Sequence, residues 1–174
     1  MELSGDYLFN LSVIGISFSA VSTLVTILRQ SLGGRLTAFD IFLLTTYVGD
    51  GFIITMCSLM PPLLASSGLS PPLVWIAASL ISAAALAGQM VRILSMRAKA
   101  TKAPMSLAMK IANFAHMLAI LLLLVNAAVP PFQSIFLFEV SMTIYLANAM
   151  WIFTRRIASL NPENANEDWD PKRG

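Results

Sequence analysis

The stretch FDIFLLTTYVGDGFIITMCSLM, residues 39–60, decides the fold class, because it is an apolar segment of membrane-spanning length with an aspartate near its centre. A hydrocarbon core about 30 Å thick is crossed by a helix of roughly 20 apolar residues. On the insertion scale a central aspartate costs about 2.5–3.5 kcal/mol, whereas each Leu, Ile, Phe or Val contributes about 0.3–0.6 kcal/mol in favour. With Asp50 present, the free energy of inserting this span alone into the membrane is close to zero. We therefore expect neighbouring helices to form hydrogen bonds with its carboxyl group.

Four similar stretches accompany it and make up most of the chain. The predicted spans cover residues 7–28, 39–60, 73–95, 107–128 and 132–153. Charged residues are only 11% of the 174, whereas a soluble domain is about 25% charged. The sequence therefore predicts an all-α membrane protein, with a five-transmembrane-helix bundle at residues 1–156 and a polar tail at 157–174 whose composition predicts disorder. Because there is no soluble domain to form an aqueous cleft, we expect no enzymatic activity.

The basic residues predict the orientation of this bundle. All of them lie in the first loop, in the third loop with its flanks, or in the tail: Arg29, Arg35, Arg92, Arg97, Lys99, Lys102, Lys110, Arg155, Arg156, Lys172 and Arg173. The N-terminal segment and the loops at 61–72 and 129–131 have none. By the positive-inside rule the N-terminus lies outside and the C-terminus in the cytoplasm. The same residues predict contact with anionic headgroups at the cytoplasmic face, and no nucleic-acid partner.

Three ionisable side chains lie well inside the predicted spans, away from their ends, where such groups are costly and usually functional or paired. Asp50 and His116 are near the middle of spans 2 and 4, and Glu139 lies about two turns inside span 5. Tyr47 is one turn from Asp50, and Asn113 is one turn from His116, so we add both residues to the candidate polar cluster. The sequence predicts that these groups meet in the interior of the bundle.

Two functions are consistent with such a cluster. Carboxylates and imidazoles within reach of one another form proton or cation relays in channels and transporters. Buried polar groups must also be paired whatever their use, so the cluster can simply fix helix packing. We favour the packing interpretation, which predicts an accessory or scaffold subunit in a homo-oligomer or larger membrane complex. The alternative is a small ion- or proton-handling subunit that uses Asp50, His116 and Glu139.

Span 1 carries small residues along one face: Ser12, Gly15, Ser19, Ser22, Thr23 and Thr26. This spacing is typical of close helix contact, either within the chain or across an oligomer interface. It is also compatible with the lining of a polar pore.

Sulfur ligands at Met56, Cys57 and Met60 would suit monovalent copper. Ten methionines in the chain favour ordinary apolar packing instead, so we expect no metal site and no cofactor. The single cysteine excludes an intrachain disulfide.

The segment Leu32-Gly33-Gly34-Arg35-Leu36, followed by Asp40 and by the stretches at 59–64 and 69–75, resembles small multi-pass membrane proteins of bacteria that carry no assigned role. The resemblance covers roughly the first half of the chain and includes no catalytic motif. It implies a location in the bacterial inner membrane, and it implies no activity or functional residue.

Overall fold

The computed structural model describes residues 5–31, 38–100 and 105–158, and all regular structure in these ranges is helical. The long helices are α1 (Gly5–Ser31), α2 (Ala38–Ser66), α3 (Pro71–Ala100), α4 (Leu107–Ala128) and α5 (Ile135–Ala158). A short 3₁₀ turn, Pro130–Phe132, joins α4 to α5. The predicted disorder of the tail concerns residues 159–174, which lie outside the described ranges, as do Arg35 and Lys102.

Five helices are long and apolar enough to cross a membrane, which confirms the predicted number and type of the helices and suggests an integral membrane protein. The apolar segments are Asp6–Leu28, Ile41–Ser66, Pro71–Ala98, Leu107–Ala128 and Ile135–Arg155. Large apolar side chains cover the outer surface of the bundle; Phe114 and Phe136, for example, are 71% and 67% exposed. Such a surface suits lipid rather than water.

The helix α2 ends six residues later than predicted, because it continues through Pro61 and Pro62 to Ser66. Proline lacks the N–H for the helical hydrogen bond, but transmembrane helices tolerate it where neighbouring helices support the backbone. Pro61 is buried among such neighbours. The following turn contains Gly68 at a φ of 82°, the left-handed region that glycine adopts without strain. The loop between α2 and α3 is therefore residues 67–70 rather than 61–72.

The helix α4 covers the same residues as its predicted span, and Ser106 caps it by accepting a hydrogen bond from the N–H of Met109 at 3.3 Å. The two prolines at 130–131 enter the 3₁₀ turn, so α5 begins three residues later than predicted.

Asn126, near the end of α4, is fully buried and donates to Ser79 Oγ at 2.9 Å, while its Oδ1 accepts from the N–H of Ser134 at 3.0 Å. This amide joins α3, the end of α4 and the approach to α5.

The helix α2 occupies the centre of the bundle, where it contacts α1, α3 and α5, and α4 completes the bundle between α3 and α5. The main apolar core contains Ile54, Leu86, Leu123 and Phe138. A second, smaller core forms near the start of α2 and the end of α5, with Phe18 from the middle of α1. We call this end of the bundle, which also carries Arg92, Arg97, Lys110 and Arg155, the basic end.

The first part of the small-residue face of α1, at Ser12, Gly15 and Ser19, packs closely against α2. Gly15 lies opposite Gly51, close enough that a Cβ added at Gly15 would be 3.0 Å from the carbonyl oxygen of Gly51. Side chains also bond across the contact: Thr55 Oγ1 donates to the Ser12 carbonyl at 3.1 Å, and Ser19 Oγ donates to the Val48 carbonyl at 3.2 Å.

Candidate functional site

The central site is built around Asp50 of α2, which receives hydrogen bonds from two other helices. Gln89 of α3 donates through Nε2 at 2.9 Å, and Tyr145 of α5 donates through its hydroxyl at 2.7 Å, both to Oδ1. Asp50 and Gln89 are each 5% exposed and Tyr145 is 2% exposed. The carboxyl group is thus satisfied by neighbouring helices, as its cost in lipid requires.

His116 brings α4 into the same site. Its Nε2 lies 3.0 Å from the carbonyl oxygen of Leu86 in α3. Because a carbonyl only accepts, Nε2 carries the proton in this contact. The imidazole also packs edge-to-face on the ring of Tyr145, with 4.8 Å between the ring centroids. Four helices therefore meet at one group of side chains, which we call the central cluster: Asp50, Gln89, His116 and Tyr145.

A polar connection links the central cluster to the basic end. Arg92, which is exposed on α3, donates through Nη1 to Gln89 Oε1 at 3.5 Å. Gln89 Nε2 also approaches the carbonyl of Thr46 at 3.4 Å. Gly49 leaves room for both side chains, because a Cβ there would lie 3.1 Å from Gln89 Nε2 and 3.5 Å from Arg92 Nη1.

The other residues of the predicted cluster lie elsewhere. Glu139 is half-buried on α5, six residues and nearly two turns before Tyr145, on a different face of that helix. Tyr47 packs its ring edge-to-face against Phe18 and Phe153 in the smaller core, with centroid distances of 6.2 and 5.2 Å. The structure therefore joins Asp50 to His116 through Tyr145, and it places Glu139 and Tyr47 apart from these contacts.

Asn113 lies near the start of α4, where its amide donates to the sulfur of Met105 at 3.5 Å. It is one turn from His116 but takes no part in the hydrogen bonds of Asp50. Gln89 and Tyr145, which do take part, were missed by the sequence reasoning because it considered ionisable groups first. The available signal was that both are polar residues near mid-span.

The sulfur residues of α2 do not converge. Met56 is 55% exposed on the outer surface, whereas Cys57 is 3% exposed in the core and Met60 is half-buried. Within the residues that the structure describes, no group of three or more His, Cys, Asp or Glu side chains is placed to hold a metal ion.

The central cluster is a buried group of polar side chains that the exposed Arg92 touches at Gln89. Each member is 5% exposed or less, and in such surroundings a satisfied hydrogen bond is strong and an unsatisfied polar group is costly. The network can therefore fix the relative positions of four helices. Comparison with known proteins found no matching family model, no matching curated protein and no matching solved structure.

Proposed function

We propose that this chain is an accessory or scaffold subunit of the bacterial inner membrane, without enzymatic activity, whose central cluster locks the helices in one arrangement. The observation that carries the proposal is Asp50, which receives hydrogen bonds from α3 and α5 at a point where α4 also packs. A scaffold needs a fixed shape on which a second copy or another membrane protein can assemble. The polar cluster supplies that fixed shape in lipid, where apolar side chains alone give little preference for one helix pairing over another.

The burial of the cluster supports this role over conduction. A path for ions or protons needs groups that exchange with water at both ends of the membrane. The members of the central cluster are at most 5% exposed, and the contacts around them are direct side-chain and backbone bonds. We therefore place the cluster among the groups that position helices.

A second candidate function rests on the connection to Arg92. The exposed guanidinium reaches Gln89, which bonds Asp50, and Asp50 in turn bonds Tyr145 beside His116. This polar connection runs from one surface of the bundle to Asp50 and His116, which are the groups in it that can exchange a proton. This favours a small ion- or proton-handling subunit as the alternative, with Asp50 and His116 as its working groups and Glu139 as a third group nearer the start of α5.

A flux assay on Asp50→Asn separates the two functions. The amide keeps an acceptor oxygen for Gln89 and Tyr145 but cannot exchange a proton as a carboxyl does. For a scaffold we expect purified wild type and Asp50→Asn in proteoliposomes to show the same proton and monovalent-cation flux as empty liposomes. The readout is the decay of an imposed pH or cation gradient, followed with an internal dye.

The matched control is Asp50→Leu, which removes the acceptor altogether and is expected to lower stability without creating flux. A wild-type flux well above that of empty liposomes, lost in Asp50→Asn while the protein keeps its fold, would establish the transport alternative and overturn the scaffold proposal.

The proposed orientation places the N-terminus outside and the basic end in the cytoplasm, in contact with anionic headgroups. In a Cys57→Ala background, we expect a membrane-impermeant maleimide to label Ser67→Cys on intact cells. Ala98→Cys, in the last turn of α3, should react only after the membrane is opened. Both positions are exposed in the bundle, so reactivity reports the side of the membrane. The reverse labelling pattern would show that the positive-inside rule fails for this chain.

A further inference from the structure

A shallow groove opens at the basic end, between the first turns of α4 and the last turns of α5. It is separate from the central cluster, and its lining is Ala108, Met109, Ala112, Trp151, Ile152 and Arg155. Five of these six side chains are apolar or aromatic, and the sixth is a cation. A surface of this kind offers an apolar floor together with a single positive charge.

The spacing of the two helices at this groove is fixed by a direct bond. Asn148 of α5 donates through Nδ2 to the carbonyl of Ala112 at 3.1 Å. Because Ala112 lines the groove, this bond ties α5 to α4 at the groove itself, on its side toward the membrane interior. The groove is therefore part of the packed bundle, and a ligand that enters it needs little rearrangement.

The charge at the groove is positive and uncompensated on the two helices that form it. Arg155 lies over the ring of Trp151, with 5.5 Å from its guanidinium carbon to the ring centroid, a cation–π contact that leaves the charge exposed. Lys110 is exposed on the same turn of α4, but it is not part of the lining and lies on the opposite face of that helix from Ala108 and Ala112. The sequence of α4 contains no Asp or Glu, and that of α5 contains none after Glu139.

The depth of the groove matches that of a lipid at the membrane surface. Ala108 is the second residue of the apolar segment of α4, and Arg155 is the last residue of the apolar segment of α5. The apolar floor therefore lies at the edge of the hydrocarbon, and the guanidinium lies at headgroup height, beside a tryptophan of the kind enriched there. Basic pockets between transmembrane helices at such a depth bind acidic headgroups.

From this geometry we infer that the groove binds one anionic phospholipid, with an acyl chain against Ala108 and Ile152 and its phosphate at Arg155. A soluble phosphate would leave the apolar floor uncovered, and a lipid without net charge would leave Arg155 uncompensated. The inference rests on the membrane placement of the chain and is independent of the scaffold role.

Native mass spectrometry of the full chain in detergent tests the site, with phosphatidylglycerol and phosphatidylcholine as probes. We expect wild type to retain one phosphatidylglycerol in preference to phosphatidylcholine. Arg155→Gln should weaken that binding about fivefold, the effect of one basic residue near an anionic headgroup, whereas Lys110→Gln, on the other face of α4, should leave it unchanged. Ala108→Leu keeps both charges but fills the floor, and it should also reduce retention.

The control is Arg97→Gln, which removes an equal charge from α3 at the same end of the bundle and should leave retention unchanged. Equal retention of the two lipids, or equal losses in Arg97→Gln and Arg155→Gln, would overturn the inference, because either result means diffuse attraction to charge. Displacement of the lipid by millimolar inorganic phosphate, with Ala108→Leu having no effect, would also overturn it. Arg155→Lys keeps the charge and should retain the lipid with a wild-type size-exclusion profile. An equal loss of lipid in Arg155→Lys and Arg155→Gln would overturn the role of the charge.

Discussion

Replacing Gly51 by alanine is expected to destabilise the bundle by roughly 2–3 kcal/mol, the upper part of the range for overpacking a tight contact. A Cβ at this position would lie 2.5 Å from the carbonyl oxygen of Gly15 and would collide with the side chain of Ser19. Backbone cannot move aside as a flexible side chain can, so α1 must shift away from α2. The shift also strains the bonds from Ser19 and Thr55 across the contact. SDS titration in mixed micelles, followed by the fluorescence of buried Trp75, measures the loss.

The matched control is Gly88→Ala in α3, where an added Cβ meets nothing within 4 Å. This change removes the helix penalty of glycine, and we expect it to be neutral or to stabilise the protein by about 0.5–1 kcal/mol. Gly15→Ala should resemble Gly51→Ala, because its Cβ would lie 2.9 Å from atoms of Ile54 and Thr55. The double variant should cost less than the sum, since one clash already separates the helices. Equal stability of Gly51→Ala and Gly88→Ala would rule out the close packing of α1 on α2.

The number and type of the helices could be predicted because apolar length is a local property of the sequence. The ends of the helices were harder to predict from the sequence, as two pairs of prolines show. Pro130 and Pro131 follow α4 and break the chain into a 3₁₀ turn, whereas Pro61 and Pro62 lie inside α2. Each proline in both pairs lacks the backbone N–H that a helical hydrogen bond needs. The tertiary surroundings differ at one position, since Pro61 is buried in the bundle whereas Pro62, Pro130 and Pro131 are exposed.

The composition of the central cluster was only half predictable for a related reason. Asp50 and His116 stand out in the sequence because an ionisable group is costly in lipid, whereas Gln89 and Tyr145 cost less and stand out less. Which residues face one another depends on helix rotation and register. In a membrane helix the outward face is as apolar as the packed one, so hydropathy does not determine rotation. Tyr145 and Glu139 share α5 but point to different sides, and only the packing selects Tyr145 as the partner of Asp50.

Replacing Asp50 by alanine is expected to destabilise the folded bundle by about 2 kcal/mol, because the change removes the acceptor for two buried donors. Gln89 and Tyr145 are each 5% exposed or less, so water does not replace the lost oxygen. Tyr145→Phe removes one donor and should cost about 1 kcal/mol in the same SDS titration. In the Asp50→Ala background, Tyr145→Phe should cost little, since the bond is already gone. Additive losses would show that the two side chains act independently.

The same substitution should have the opposite effect on membrane insertion of α2 alone. A central aspartate costs about 2.5–3.5 kcal/mol in a span that stands by itself in lipid, and alanine removes that cost. In a translocon assay of residues 39–60, the inserted fraction should therefore rise in Asp50→Ala while the stability of the whole protein falls. Opposite changes in the inserted fraction and in the stability would mean that Asp50 stabilises the bundle through its contacts, although it opposes insertion of α2 into the bilayer. If stability also rose, Gln89 and Tyr145 would not be its stabilising partners, and the packing role of the central cluster would be wrong.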